Sequence, residues 1–150
     1  SDPFEALWHR RQSIRLEGDV EQVLLLSLPD LVQAKKTQRD KDWPMVRRLV
    51  EAHYFANRAT SSPAQIEFWF RELRSPEILI ELASEHPDAC QTLVSSRSLL
   101  TLAKERDYDR LVRELAEEEG TERERDRAYW DPLKKELERL RHEERRIRAG

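Results

Sequence analysis

The chain has 150 residues, of which 38% are hydrophobic and 38% charged, and its 27 Lys and Arg against 30 Asp and Glu leave a formal net charge of −3. That length fits one domain, or one domain with an appendage, and so balanced a charge excludes a global field that steers the whole chain toward nucleic acid, so an anion site must be local. A single cysteine, Cys90, excludes an internal disulfide framework and fits a reducing cytoplasm, and no apolar run reaches the length of a bilayer span.

Three glycines among many Leu, Glu and Arg favour helices over a turn-rich β fold. Residues 4–11 predict a short helix with Phe4, Leu7 and Trp8 on one side. Residues 12–26 predict a β-hairpin: Ile14 and Leu16 alternate with polar residues, Gly18-Asp19 is a turn signal, and an apolar run through Leu26 follows. Ser27-Leu28-Pro29-Asp30 then reads as a helix start. Ser27 is the N-cap, Pro29 sits in the tolerant first turn, and Asp30 stands three residues on, as in a capping box. Leu28, Leu31 and Val32 form the apolar stripe of that helix. A second helix is expected from about Trp43, with Pro44 near its start and Val46, Leu49, Val50, His53 and Tyr54 on its buried face.

The polar loop 57–63 is the best candidate boundary, dividing the chain into 1–60 and 61–150. Beyond it, residues 64–73 predict a helix that buries Ile66, Trp69, Phe70 and Leu73. Ser75-Pro76 opens another, closed by Pro87. Residues 89–107 break phase at Ser95–Ser98 and predict two short helical pieces. Residues 108–120 are amphipathic through Tyr108, Leu111, Val112 and Leu115, with Gly120 expected as a C-cap that stops the helix. The tail, 121–150, is nearly all charge, with Trp130, Leu133, Leu137, Leu140 and Ile147 at spacings of three, four and seven and Glu144 interrupting the seam. It has fewer clean heptads than a full coiled coil, and reads as a solvated helix or one that meets a partner or a second copy.

Positive charge concentrates where the first two longer helices meet. Lys35 follows Leu31 by four residues and Val32 by three, which puts it in line with the buried face rather than opposite it. Arg39 continues that line if the helix persists, Lys36 is on the flank, and Lys41 and Asp42 lie where the next helix begins. A helix start offers free N–H groups and a partial positive charge, so a phosphate chain fits here, with Arg39 as a fork and the lysines as point charges. The alternative is a solvated surface turn in which Asp42 caps the second helix and pairs with Arg39 or a lysine.

The stretch "VLLLSLPDLVQAKKTQRDKDWPMVRRLVE" resembles the later part of bacterial nucleotidyltransferase-fold proteins, both the minimal ones and the toxin-type ones of toxin–antitoxin pairs. In these a strand ending in an apolar residue and Ser leads to a helix that carries two leucines and a lysine, and an Arg-x-Lys-Asp-like motif opens the next helix. Leu26-Ser27, Leu28, Leu31, Lys35 or Lys36, and Arg39-Asp40-Lys41-Asp42 stand in those places. The preceding "DPFEALWHRRQSIRLEGD" is similar to the segment before that strand, so the likeness covers residues 2–52. It implies that 1–60 is the rear of an α/β nucleotidyltransferase-like domain, that Lys35, Lys36, Arg39 and Lys41 contact the phosphates of an NTP, and that Asp42 orients or caps. The implied reaction passes a nucleotide to an acceptor hydroxyl.

The sequence departs from the family at one place. The Gly-Ser turn that the family places upstream of the matched region does not occur here, and the two pairs of spaced aspartates that do occur, Asp40 with Asp42 in the later motif and Asp107 with Asp109 at a helix start, are not on a strand end as metal binding requires. Mg would come with that missing half, this chain by itself is expected to be inactive, and it is expected to be either a carboxy-terminal fragment or a degenerate relative that only binds. The rival class is a non-catalytic helical interaction or oligomerisation module working through residues 121–150. Nucleic acid is an open third class without a broad basic face to support it, and no membrane association is expected. Among the other constellations, His86, Asp88 and Cys90 suit zinc by type, but no second cluster completes a ligand set. His53 on an apolar face reads as a packed histidine, and Phe68, Trp69 and Phe70 read as core. The expected fold is mainly α with a short amino-terminal β-hairpin and a helical appendage over 61–150.

Overall fold

Residues 4–15, 22–36 and 42–149 are described by the structure, a computed structural model, and they are mainly helical with one two-stranded antiparallel hairpin. The contacts fall into two units, Ser1–Thr60 and Ser61–Gly150.

In the first unit, α1 (Phe4–Arg10) leads into β1 (Gln12–Arg15), which pairs with β2 (Gln22–Leu25) in a register that sets Gln12 against Leu25 and Arg15 against Gln22. The Gly18-Asp19 turn lies outside the described residues. Helices α2 (Leu28–Lys36) and α3 (Trp43–Asn57) follow, and a 3-10 turn (Arg58–Thr60) ends the unit. Ser27 begins α2 as its sequence predicts: its Oγ accepts the Asp30 N–H at 3.4 Å and donates to the Asp30 carboxylate, while Pro29 occupies a first-turn position that needs no donor. The small core sets Val32 of α2 with Trp43, Val46, Val50 and Tyr54 of α3, all buried. Spacings of three and four place those α3 residues on one stripe. Leu49 and His53, expected on the same face, lie at its margin and are half-buried. By contrast α1 buries nothing fully, and its Phe4 and Trp8 stack at 5.8 Å while both stay exposed.

In the second unit, α4 (Pro63–Glu72), α5 (Pro76–Glu85) and α6 (Pro87–Leu93) each open on a proline, where the missing N–H costs no helical bond. Ser62 and Gln65 form a reciprocal capping box at the head of α4, at 3.3 and 2.8 Å. Helix α7 (Leu100–Glu105) follows the phase break at Ser95–Ser98, and α8 (Tyr108–Ala149) completes the chain. Arg106 joins the last two in the left-handed region at φ 56°, which lets the Asp107 N–H reach back to the Leu102 carbonyl at 3.0 Å. Asp107 in turn accepts the Arg110 N–H at 3.2 Å and starts α8. The core gathers Trp69, Phe70 and Leu73 with Leu79, Leu82, Cys90, Leu100, Leu111 and Leu115.

Gly120 does not stop a helix. Helix α8 runs through it for 42 residues, and a mid-helix glycine costs only about 1 kcal/mol relative to Ala. Two charged contacts on either side of it outweigh that cost. Glu118, one turn before Glu122, takes the buried Arg97 guanidinium at 2.7 Å, and Glu122 takes the buried Arg74 at 3.0 Å. Both glutamates face the same way only if the backbone between them stays helical.

Arg97 has a second role. Its guanidinium donates to the Phe70 carbonyl at 2.6 Å and the Leu73 carbonyl at 2.9 Å, as well as forking onto both Glu118 oxygens. Those carbonyls belong to the end of α4, where no helical N–H follows to satisfy them. One side chain therefore caps α4 and holds α8. Burial pulls the Arg97 guanidinium below its ordinary value, and the Glu118 hydrogen bond pushes it back up. Arg97→Ala takes the donor from the Phe70 carbonyl and leaves Glu118 and the Leu73 carbonyl to Arg74 alone, at 3.2 and 3.5 Å, and is expected to destabilise the second unit by about 3 kcal/mol, read as a lowered urea midpoint. Glu122→Gln is expected to cost less, because Arg74 keeps Glu118 at 3.2 Å.

Candidate functional site

The end of α2 meets the start of α3 with charge on both sides. Lys35, one turn beyond Val32, is half-buried, and its Nζ stands 4.0 Å from the carboxylate of the buried Asp42. That distance is a Coulomb contact rather than a hydrogen bond. Lys36 places its Nζ 5.9 Å from the centre of the Trp43 ring, within cation–π range. The two lysines and Asp42 are thus brought together. Arg39 and Lys41, the other two cations expected here, lie outside the described residues.

The capping role suggested for Asp42 does not occur. Its backbone is already helical, at φ −83° and ψ −15°, and its side chain makes no cap hydrogen bond to α3. A cap needs an extended backbone to swing its oxygen over the first amides. Asp42 instead faces Lys35 and offsets one of the two lysine charges.

The sequence reading missed the contact that ties α1 to α2. Arg10 forks onto Asp30, Nε to one carboxylate oxygen at 3.1 Å and a terminal nitrogen to the other at 2.7 Å. Asp30 also receives the Ser27 hydroxyl, so the helix cap and the ion pair share one carboxylate. No periodicity links residues 10 and 30, and only the fold brings them together. The Arg10 hydrogen bond, seconded by Ser27, holds the Asp30 carboxyl below its ordinary value against a smaller opposing effect of burial. A depressed folded-state value means that the stabilisation is complete above the unfolded value and is lost as pH falls through the folded one. Carboxyl-detected NMR titration should find Asp30 titrating below the ordinary aspartate value, and Arg10→Ala should move it upward.

The remaining candidates resolve into structure. His53 is partly buried on α3 and its burial lowers its proton affinity, which favours the neutral packed form. Trp69 and Phe70 are fully buried and Phe68 is half-buried, as core residues. Cys90 turns into the core, where its thiol faces the Leu100 carbonyl at 3.7 Å and burial raises its pKa. His86 and Asp88 point elsewhere, to the wall of an open cavity of about 540 Å³ with Ile66 and Leu93. Among the described residues, no group of three or more His, Cys, Asp or Glu side chains is placed to hold a metal ion.

The second half of α8 is a different kind of surface. Tyr129 is 74% exposed, and Leu133, Leu137 and Leu140 are exposed at 47%, 45% and 47%. They recur at spacings of four and three, so they form one stripe. Trp130 adjoins it, its indole N–H donating to Asp126 at 3.1 Å. Arg139 lies along the flank, bonded to Glu136 at 2.6 and 3.0 Å and to Glu143 at 2.6 Å. Pro132 sits within this helix on its exposed side. No described helix is long and apolar enough to cross a membrane. No family model, characterised protein or solved structure matches the chain.

Proposed function

We propose that the first unit is the rear portion of a nucleotidyltransferase-like domain whose α2–α3 corner contacts the phosphates of a nucleoside triphosphate. One arrangement supports this reading: an apolar strand, a serine-capped helix, and two lysines at that helix's end that meet the start of the next helix. Lys35 and Lys36 bind phosphate oxygens, Arg39 and Lys41 extend the set, and Asp42 orients Lys35. The Asp42 side chain does not cap the first turn of α3, and the N–H groups of that turn, which Pro44 lacks, add donors for an anion.

The uncovered strand lends further support. Leu24 and Leu25 point to opposite faces of β2, and both are exposed, as is Leu26. Apolar residues on both faces suit a strand inside a larger, covered sheet. The described residues do not supply a donor set for a catalytic metal. Asp42 is the one described carboxylate at the corner and it is committed to Lys35, so no step of nucleotide transfer is assigned to these residues. Their part is to bind phosphate and offset its charge. Calorimetric titration of the chain with Mg-ATP is expected to give binding that Lys35→Ala weakens by about tenfold, or 1.4 kcal/mol, and that Lys35→Arg largely keeps. Absence of binding heat, or binding indifferent to both lysines, would overturn the assignment.

A second reading, a helical protein-interaction or oligomerisation module, is favoured by the exposed stripe on α8. A surface helix normally buries its apolar stripe, and this one presents aromatic and leucine side chains to solvent. The truncation that tests it should spare Glu122, because Glu122 holds Arg74. A chain ending at Arg125 should keep the fold of the second unit and lose any association that the full chain shows by sedimentation. Identical sedimentation of the two chains would count against this reading.

A further inference from the structure

We infer that the exposed stripe of α8 is the seam of a parallel, in-register pairing with a second copy of the same helix. This rests on the interaction reading of the second unit and commits it to one occupant and one orientation.

The argument begins with heptad phase. Trp130 and Leu137 fall at one core position of a seven-residue repeat, and Leu133 and Leu140 at the other. The two flanking positions that would touch a facing helix then carry opposite charge. Glu136 and Glu143 occupy the flank before the first core position, and Lys134 and Arg141 the flank after the second. In a parallel pair, a residue on the former flank meets the residue five places later on the latter flank of the other helix. Glu136 therefore meets Arg141 of the second copy, and symmetry supplies the same contact again. In an antiparallel pair, each flank meets its own kind, so Glu136 and Glu143 would face glutamates while Lys134 and Arg141 would face cations. Charge complementarity thus selects both the partner and the orientation.

Two observations make so short a seam workable. The helix does not have to nucleate on its own, because α8 is continuous with a segment anchored by buried Leu111 and Leu115 and by the arginine contacts to Glu118 and Glu122. The acidic flank is also already arranged, since Arg139 holds Glu136 and Glu143 along one side. Glu144 marks where the pairing weakens. It returns to the core position of Trp130 and Leu137, so two parallel copies bring two exposed glutamates together there.

The experiment is sedimentation equilibrium of the full chain and its charge variants, with helicity checked by circular dichroism. The expected result is a concentration-dependent dimer. Glu136→Arg alone and Arg141→Glu alone should each weaken it by about tenfold or more, and an equimolar mixture of the two should restore it, because each reversed charge then meets its complement. Glu144→Leu should tighten it by a similar factor. Self-association that Glu136→Arg strengthens would overturn the parallel pairing while leaving the interaction reading intact, since an antiparallel seam gains from that change. A full chain that stays monomeric even as Glu144→Leu would overturn the second-copy assignment altogether.

Discussion

The second unit depends on a guanidinium placed where water does not reach. A buried arginine is costly unless each of its donors finds a partner and its charge finds an opposite one. Arg97 meets both demands by spanning three pieces of chain: it lies between α6 and α7, binds the last carbonyls of α4, and forks onto Glu118 of α8. The packing of Trp69, Phe70 and Leu73 beneath it follows, because the end of α4 is fixed by the same contacts. So does the continuity of α8. Glu118 and Glu122 are held one helical turn apart by Arg97 and Arg74, and the glycine between them has no freedom to turn the chain.

The first unit has a leaner core and relies on polar junctions. Asp30 is its hub: it answers the Ser27 cap of α2 and receives the fork from Arg10 at the end of α1. Farther along, Lys35 and Asp42 link the end of α2 to the start of α3. A cation at a helix C-terminus is favoured by the helix dipole, and a carboxylate at the next N-terminus is favoured by the opposite one. The same pairing that stabilises the junction also offsets one of the charges that a phosphate would use. In the proposed site an anion competes with Asp42 for Lys35 and with the Trp43 ring for Lys36.

The two ends of α8 show how one helix serves two surroundings. Its first part alternates buried Leu111 and Leu115 with paired glutamates, the pattern of a helix packed on its own domain. Its second part keeps the leucine spacing and replaces the domain with solvent. Nothing in the leucine spacing alone distinguishes the two parts. The distinction is in the charges beside it. They are matched within the domain in the first part, by Arg74 and Arg97, and in the second part they are matched along the helix by Arg139.

What the sequence by itself determined was local. The hairpin strands, the Ser27 start of α2, the stripe of α3 and the break at Ser95–Ser98 were all legible, because caps, turns and periodicity act over a few residues and need no distant partner. The conversion of those elements into a site was less legible. Helical phase placed Lys35 toward the inside, and it is half-buried, but phase could not say that Asp42 would face it rather than cap α3, since that choice turns on a backbone angle at the junction. The tertiary structure alone decided that Gly120 lies within a helix, that Arg10 meets Asp30, and that Arg97 and Arg74 are buried. Each of those outcomes rests on a partner twenty or more residues away. A glycine or an arginine read in its own neighbourhood carries no mark of a distant carboxylate, and the energy of a buried charge exists only after the fold has excluded water from around it.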